Sequence, residues 1–216
     1  MAQYELLIHA RRAVIDDRIQ QAAVTVDGGV ISSVRTGSAA RDIGLAGDHT
    51  INLGDDVVLM PGLVDPHVST ENVAVGTRSA ARGGITSVID YGNDGAPAAT
   101  SPEGVDRWRN EVTGESTVDV GLWGAAVPGN LGRLGELLDH GVFGVSAVAE
   151  GKGVAGAPTL GRSALVEAAE EVLGRGALFA VDAGADVLPD LLDVVRRTSG
   201  RLHLRSVADH EELPLL

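Results

Sequence analysis

From residue 60 onwards, apolar segments typical of strands alternate with segments that have the period of helices. Short apolar or β-branched runs bounded by Gly or Pro are typical of buried strands, whereas apolar residues three and four apart are typical of amphipathic helices. The predicted strands are Leu63 to Val68, Ile85 to Asp90, Val118 to Val127, Val142 to Ala149, Ala177 to Asp182 and Arg201 to Val207. The predicted helices are one that stops at Gly83-Gly84, then Pro102 to Ser116, Asn130 to His140, Ser163 to Arg175 and Asp186 to Thr198.

Residues 1 to 59 have a different pattern, one of short β-rich segments separated by turn signals. The predicted strands here are Tyr4 to His9, Arg12 to Ile15, Gln20 to Asp27, Val30 to Thr36 and His49 to Leu53. Asp27-Gly28-Gly29 predicts a tight hairpin turn. The change in pattern predicts a small N-terminal β domain over residues 1–59 and an α/β domain over residues 60–216.

Strands that alternate with helices imply parallel strands joined by crossover helices. A complete eightfold β/α barrel typically needs about 250 residues and rarely fewer than about 200. Residues 60–216 are fewer than that, and an open doubly wound sheet fits this length equally well. The pattern alone therefore leaves both architectures open.

Composition narrows the class of partner and the compartment. The chain has 30 Asp and Glu against 17 Lys and Arg, so nucleic acid and anionic membranes are poor partners. Without cysteine it has neither disulfides nor thiolate metal sites. No run approaches the roughly 18 apolar residues of a membrane span, and the N-terminus lacks the apolar core of a signal peptide. We expect a soluble, cytoplasmic protein.

Three ordered segments carry a family resemblance. The first, Leu59 to Asp94, contains the Met60-Pro61-Gly62-Leu63-Val64-Asp65-Pro66-His67-Val68-Ser69 run. It resembles the first two barrel strands of the cyclic amidohydrolases (allantoinases, hydantoinases and dihydroorotases), where the first strand ends PGxxDxHVH. Val118 to Leu131 resembles the allantoinase third strand, typically VDVGFWGGVVPGN. Arg201 to His203 and Leu213 to Leu216 resemble the two ends of that subfamily's RLHIVHLSSAEALPLL. The resemblance implies a TIM-type barrel, here incomplete with about six β/α units, beside a β-sandwich-like N-terminal domain.

The family's chemistry implies two divalent metals, usually zinc, bridged by a carboxylated lysine. The metals activate a bridging water and polarise the amide carbonyl. His67 matches the first ligand position. The other four ligand positions hold Ser69, Ser146, Asp182 and Ser206. We therefore expect no metal cofactor and no catalytic residue at these positions.

The sequence leaves one other metal site around His67 open. A residual mononuclear site could use Asp65, His67, Asp90 and Asp182, whose alternative role is that of hydrogen-bonded remnants at the strand ends. Lys152, the one lysine, lies six residues past Ser146 and beyond the strand end, so it cannot face the position of the bridging lysine unless the loop is rebuilt. His203 precedes Ser206 by three residues, so period-two alternation predicts that it points to the opposite side of the strand.

A further motif, Gly151 to Gly156, matches the GxGxxG dinucleotide fingerprint after a strand. Ala157-Pro158-Thr159 interrupts the helix that the fingerprint needs, and Asp182 meets its acidic position only loosely. A βα loop is the favoured interpretation of this segment.

The sequence predicts an allantoinase-like protein that has lost its binuclear metal site and serves as a non-catalytic binding or scaffold pseudoenzyme. The alternative is an active hydrolase of a cyclic amide such as allantoin, in purine catabolism, completed by a partner chain or unusual ligands. Six strands that do not close leave the first and sixth with an open edge. We accordingly expect a homo-oligomer, or a partner chain that covers that edge.

Overall fold

The computed structural model describes all residues except 1–2, 42–43, 71, 92–98, 151–157, 208–209, 211–212 and 216. Their contacts divide the chain into two compact units, Met1–Gly62 and Leu63–Leu216. The domain bounds 1–59 and 60–216 remain sequence predictions. The GxGxxG segment, Gly151 to Gly156, lies outside the described residues.

The first unit is a four-stranded sheet in the order β3-β2-β1-β4. Its strands are β1 (Gln3–Ile15), β2 (Arg18–Asp27), β3 (Val30–Thr36) and β4 (Ala46–Asn52). The first three strands pair antiparallel, and β4 pairs parallel to β1. Gly28 and Gly29 join β2 to β3 with φ of 57° and 74°, so the predicted hairpin turn is confirmed.

The two strands predicted between Tyr4 and Ile15 form one continuous strand. Its register against β2 shifts between Ala10 and Ala13, around the Arg11-Arg12 pair. A bulge bends a strand without ending it, so the polar interruption in the sequence is a local irregularity and not a turn.

The second unit is a six-stranded, all-parallel sheet in the order β10-β9-β8-β7-β6-β5. Its strands are β5 (Leu63–Val68), β6 (Ile85–Asp90), β7 (Asp119–Ala125), β8 (Gly144–Val148), β9 (Leu178–Asp182) and β10 (Arg201–Leu204). The strands follow chain order, with β5 at an edge. The doubly wound alternative, which places the first strand between later ones, is therefore wrong.

Five helices connect these strands: α1 (Val73–Arg82), α2 (Pro102–Val112), α3 (Leu134–Asp139), α4 (Arg162–Gly174) and α5 (Leu188–Thr198). Ser101 caps α2 by accepting from the Gly104 amide, and Pro102 occupies the first turn, as predicted. The predicted helix Asn130 to His140 shrinks to α3, because residues 127–133 form consecutive turns around the Asn130 side chain.

The two faces of the six-stranded sheet carry different layers. One packs on the helices through a continuous apolar core that includes Leu122, Val145 and Phe179 from the strands. The opposite face carries a smaller cluster of Ile89, Trp123 and Ala180, with Tyr91 and Leu178 against it. Within the described residues, no helix is long and apolar enough to cross a membrane.

Candidate functional site

Aromatic rings from four strands meet on the face opposite the helices, at or just beyond the strands' carboxyl ends. His67 at the end of β5 lies 4.7 Å from Tyr91, which stacks on Trp123 of β7 at 5.1 Å between ring centroids. His203 of β10 stacks on Trp123 at 6.4 Å. We call His67, Tyr91, Trp123, His203 and Arg205 the mouth cluster. In parallel β/α folds, this end of the sheet is where ligands bind.

Trp123 holds the mouth cluster together. Its ring is 1% exposed, and its indole Nε1 donates to the Pro66 carbonyl at 2.9 Å, which ties β7 to β5 across β6. Phe143 packs edge-on against it at 5.2 Å. A buried indole needs such an acceptor, since an unpaired buried N–H is costly. The rings of Tyr91 and His203, which stack on Trp123, therefore pack against a side chain whose position is fixed.

Arg205 contributes the charge of the mouth cluster. Its guanidinium carbon lies 4.3 Å from the centroid of the Tyr91 ring, a cation–π contact. Its Nη2 lies 3.1 Å from Nε2 of His67. An arginine in a protein is always protonated and can only donate, so His67 Nε2 must accept. His67 is therefore a neutral imidazole with its proton on Nδ1.

The surroundings of His67 lower its pKa, which also favours the neutral imidazole. Partial burial of the ring is the larger cause of a lowered His67 pKa, and the neighbouring Arg205 and His203 lower it further. The carboxylates of Asp65 and Asp182 oppose this shift without reversing it. Burial also raises the pKa of Tyr91 to about 12, with Arg205 acting in the opposite direction, so the phenol keeps its proton.

The serines at the family's ligand positions are used for internal hydrogen bonds. Ser146 is buried in β8 and donates to the Gly124 carbonyl at 3.1 Å. Ser206 donates to Asp182 at 2.6 Å. Ser69 is exposed just after β5. A serine hydroxyl that donates to a carbonyl or carboxylate is a neutral group with weak affinity for zinc, which prefers imidazole, thiolate and carboxylate ligands.

Of the aspartates proposed for a mononuclear site, Asp65 and Asp182 lie near His67, whereas Asp90 belongs to the helix-facing layer of the sheet. Asp65 accepts from the His67 backbone amide at 3.0 Å, and Asp65 and Asp182 both act electrostatically on the His67 ring. Asp90 is 2% exposed, accepts from the Thr70 hydroxyl, and pairs in register with Leu122 of the helix-facing layer. Among the described residues, no group of three or more His, Cys, Asp and Glu is placed to hold a metal ion.

The predicted orientation of His203 is wrong. The strand ends at Leu204, so alternation does not extend to Ser206 and cannot relate the two residues. His203 and Arg205, two apart, both belong to the mouth cluster. Sequence reasoning missed Tyr91, Trp123 and Arg205 as site residues. A usable signal was the scarcity of aromatics: the chain has two each of Trp, Tyr and Phe, and one of each contacts this cluster.

Comparison with known proteins identifies the family. An allantoinase of Streptomyces avermitilis is 30% identical over 252 residues, which cover 100% of this chain and 56% of that protein. A probable allantoinase of Oryza sativa is 34% identical over 151 residues, covering 65% of this chain and 29% of that protein. The chain belongs to the cyclic amidohydrolases. No family model matches it.

The fold of this cyclic amidohydrolase agrees with a solved relative. The L-hydantoinase (dihydropyrimidinase) of Arthrobacter aurescens superposes with a TM-score of 0.83 at 20% identity, covering 98% of this chain and 55% of that one. The predicted fold class is therefore confirmed as an incomplete TIM-type barrel with an N-terminal sheet domain. The chain spans about half the length of the relatives it matches.

The two-metal centre that the family implies does not fit the side chains described here. A metal bound to His67 would need the Nε2 lone pair, at about 2.0–2.1 Å, on the side where the Arg205 guanidinium lies. Ser146 and Ser206 take the places where the resemblance puts a bridging lysine and a histidine. A fixed positive charge and hydroxyl groups are a poor environment for two further cations.

Proposed function

We propose that this cyclic amidohydrolase is non-catalytic and acts as a binding or scaffold protein. The observation that carries the proposal is the guanidinium of Arg205 on the imidazole of His67, the one ligand position that keeps its histidine. Metal-assisted hydrolysis requires a Lewis-acidic ion to activate water and polarise the carbonyl. A guanidinium donates hydrogen bonds and supplies charge, but it cannot bind and deprotonate a water in this way.

The hydrogen bonds of the serines support the same proposal. Ser146 and Ser206 are each committed to an acceptor within the sheet. The framework around them is a well-packed core of the kind that preserves a fold. Loss of chemistry at the strand ends with retention of the framework is expected where binding, and not hydrolysis, is the function under selection.

Metal content and hydrolysis test the proposal together. We expect purified protein to hold well under one equivalent of zinc, manganese or iron by elemental analysis after dialysis. It is expected to leave allantoin, hydantoin and dihydroorotate unchanged relative to buffer. Ser69→His alone is not expected to restore activity, because one imidazole replaces neither the bridging lysine nor the ligands at residues 182 and 206. A stoichiometric metal that survives dialysis, with turnover of any of these substrates, would overturn the proposal.

The alternative function is hydrolysis of a cyclic amide, allantoin or a similar ureide of purine catabolism, by an assembly that this chain completes. The observation that favours it is the pair of sheet edges: in the described structure β5 and β10 each hydrogen-bond to one neighbouring strand only. A second copy or a different chain could pair there and bring metal ligands. Metal content and allantoin hydrolysis of the native assembly, purified without denaturants, would decide between the two functions.

We also propose a cytoplasmic location. An acidic chain without cysteine suits a reducing compartment. Fractionation of the source cells, followed by immunodetection of the native protein, tests this proposal, and recovery in an extracytoplasmic fraction would contradict it.

A further inference from the structure

Among the described residues, the positive charge of Arg205 has no acidic counterpart in direct contact. Its guanidinium stacks on Tyr91 and donates to the neutral ring of His67, and neither contact neutralises a charge. Among the residues the structure describes, no Asp or Glu oxygen lies within 4.0 Å of it, whereas Arg175 and Arg197 on the helical face each have a carboxylate partner. The neighbouring carboxylate of Asp182 instead accepts from Ser206.

Two donors beside this charge have no hydrogen bond. The hydroxyl of Tyr91 and Nε of Arg205 are buried, and neither has a partner in the described part of the chain. A buried polar group left unpaired costs free energy, so such groups are rare in native proteins. The described residues of the mouth cluster therefore leave the Arg205 cation unneutralised and two hydrogen-bond donors, the Tyr91 hydroxyl and Arg205 Nε, without an acceptor. A negatively charged acceptor would satisfy both.

We propose that the mouth cluster is a binding site for a small carboxylate, held by the Arg205 guanidinium with the Tyr91 hydroxyl as a second donor. The inference rests on the proposed function, since it takes the guanidinium, and not a metal, as the resident cation. A carboxylate matches the planar fork of a guanidinium and can accept from the phenol through its other lone pairs.

The surroundings favour a singly charged ligand over phosphate. Asp65 and Asp182 lie close enough to act on the His67 ring, and the whole chain carries a net charge of −13. A doubly charged anion meets more of this repulsion than a carboxylate does. The aromatic rings around Arg205 also suit a ligand with an apolar part better than a fully hydrated ion.

Titration with acetate at constant ionic strength tests the site, with sodium chloride as the balancing salt and phosphate as a competitor. The readout is the Nε–H resonance of Arg205 in proton–nitrogen spectra, identified by its loss in Arg205→Lys. We expect a saturable shift with acetate and a weaker response to phosphate. Arg205→Lys keeps the charge without the fork and is expected to weaken acetate binding by about tenfold or more, by calorimetry.

Two further variants complete the design. Tyr91→Phe removes only the hydroxyl and is expected to weaken acetate binding by about two- to tenfold. Arg201→Gln, at the exposed start of β10, removes a charge outside the mouth cluster and is expected to leave the affinity unchanged. If Arg205→Lys fails to fold, calorimetric titration of wild-type and Tyr91→Phe protein with acetate still decides.

A linear, non-saturable shift with acetate would overturn the inference, as would equal weakening by Arg201→Gln. Binding of phosphate as tight as that of acetate would overturn the carboxylate assignment. Metal analysis on the same sample separates this failure from that of the proposed function. Metal-free, inactive protein that does not bind acetate contradicts only the carboxylate site, whereas a bound metal with hydrolysis contradicts the proposed function itself.

Discussion

Because Arg205 contacts His67, the protonation state of the His67 side chain can be used to test the geometry of the mouth cluster. A protonated imidazole would place two cations 3.1 Å apart, so the native state resists uptake of a proton. The native pKa of His67 consequently lies below the 6.5 of an unperturbed histidine. Above pH 6.5 the ring is neutral in both the folded and the unfolded chain. Below it, the unfolded chain takes up the proton first, and the free energy of unfolding falls.

We predict that the stability advantage of wild-type protein over His67→Gln shrinks as the pH falls from 6.5 towards the lowered native pKa. Below that pKa the difference is expected to become constant. Chemical denaturation of both proteins between pH 8 and 5 measures the two free energies of unfolding. Subtracting one from the other removes the contribution of the other titrating groups.

The contact between Arg205 and His67 also predicts a change in the His67 pKa that nuclear magnetic resonance can measure. Arg205→Gln removes one of the causes that depress the His67 pKa, so the midpoint of its ring titration is expected to rise, though not fully to 6.5, because burial is the larger cause. Arg201→Gln serves as the control. An unchanged His67 midpoint in Arg205→Gln would contradict the contact.

For individual residues, the sequence predicted which residue types occupy the ligand positions better than it predicted which side chains meet in the fold. The sequence and its family resemblance together show that Ser69, Ser146, Asp182 and Ser206 stand where the family has metal ligands. That Arg205 reaches His67 is not visible in the sequence, since 138 residues separate them and only the fold brings the end of β10 close to β5.

Among the secondary-structure elements, β8 packs so closely against β9 and Trp123 that only glycine fits at residue 144. A Cβ at Gly144 would lie 2.5 Å from the Leu178 carbonyl oxygen of β9 and 2.7 Å from the Trp123 ring. A backbone carbonyl in a central parallel sheet cannot move away without breaking the pairing of β8 with β9. The glycine therefore lets Trp123, the platform of the mouth cluster, lie flat against the sheet.

Gly144→Ala is predicted to destabilise the protein by about 1–3 kcal/mol, the cost of overpacking a well-filled site. Gly174→Ala is the matched control: at the end of α4 its Cβ would meet nothing within 4 Å. There we expect no loss, and a gain of up to about 1 kcal/mol from helix propensity. Urea denaturation of both variants measures the difference, and equal effects would contradict the steric argument.

The elements themselves were largely predictable, and the exceptions have a common cause. Period-two and period-3.6 patterns located all six parallel strands, because these depend on local sequence, whereas their sequential order was predicted from the family resemblance. The helix predicted from Asn130 fails because the Asn130 side chain bonds to the carbonyls of Thr100 and Ala125, both distant from that helix. Apolar spacing alone does not reveal a side chain committed to such long-range contacts.

The whole α/β unit has two sheet edges, and β5 is the more apolar. Leu63 and Val64 on this strand are 49% and 58% exposed. In the described structure β5 pairs with β6 alone, so its other side presents unpaired backbone groups. An apolar edge strand is a template for pairing with another chain, and natural proteins cover such edges or place charges on them.

We therefore predict that the purified protein is oligomeric at micromolar concentration, with a mass by light scattering above the 22.2 kDa of one chain. Val64→Lys places a charge on the β5 edge and is expected to lower that mass. Val75→Lys on α1 changes a residue of similar exposure, 60%, away from any sheet edge, and is expected to leave the mass unchanged. Wild-type protein that scatters as a compact monomer and melts cooperatively would show that the chain covers its own edges. In that case a partner at β5 would lose its physical basis, and with it the assembly that the hydrolase alternative requires.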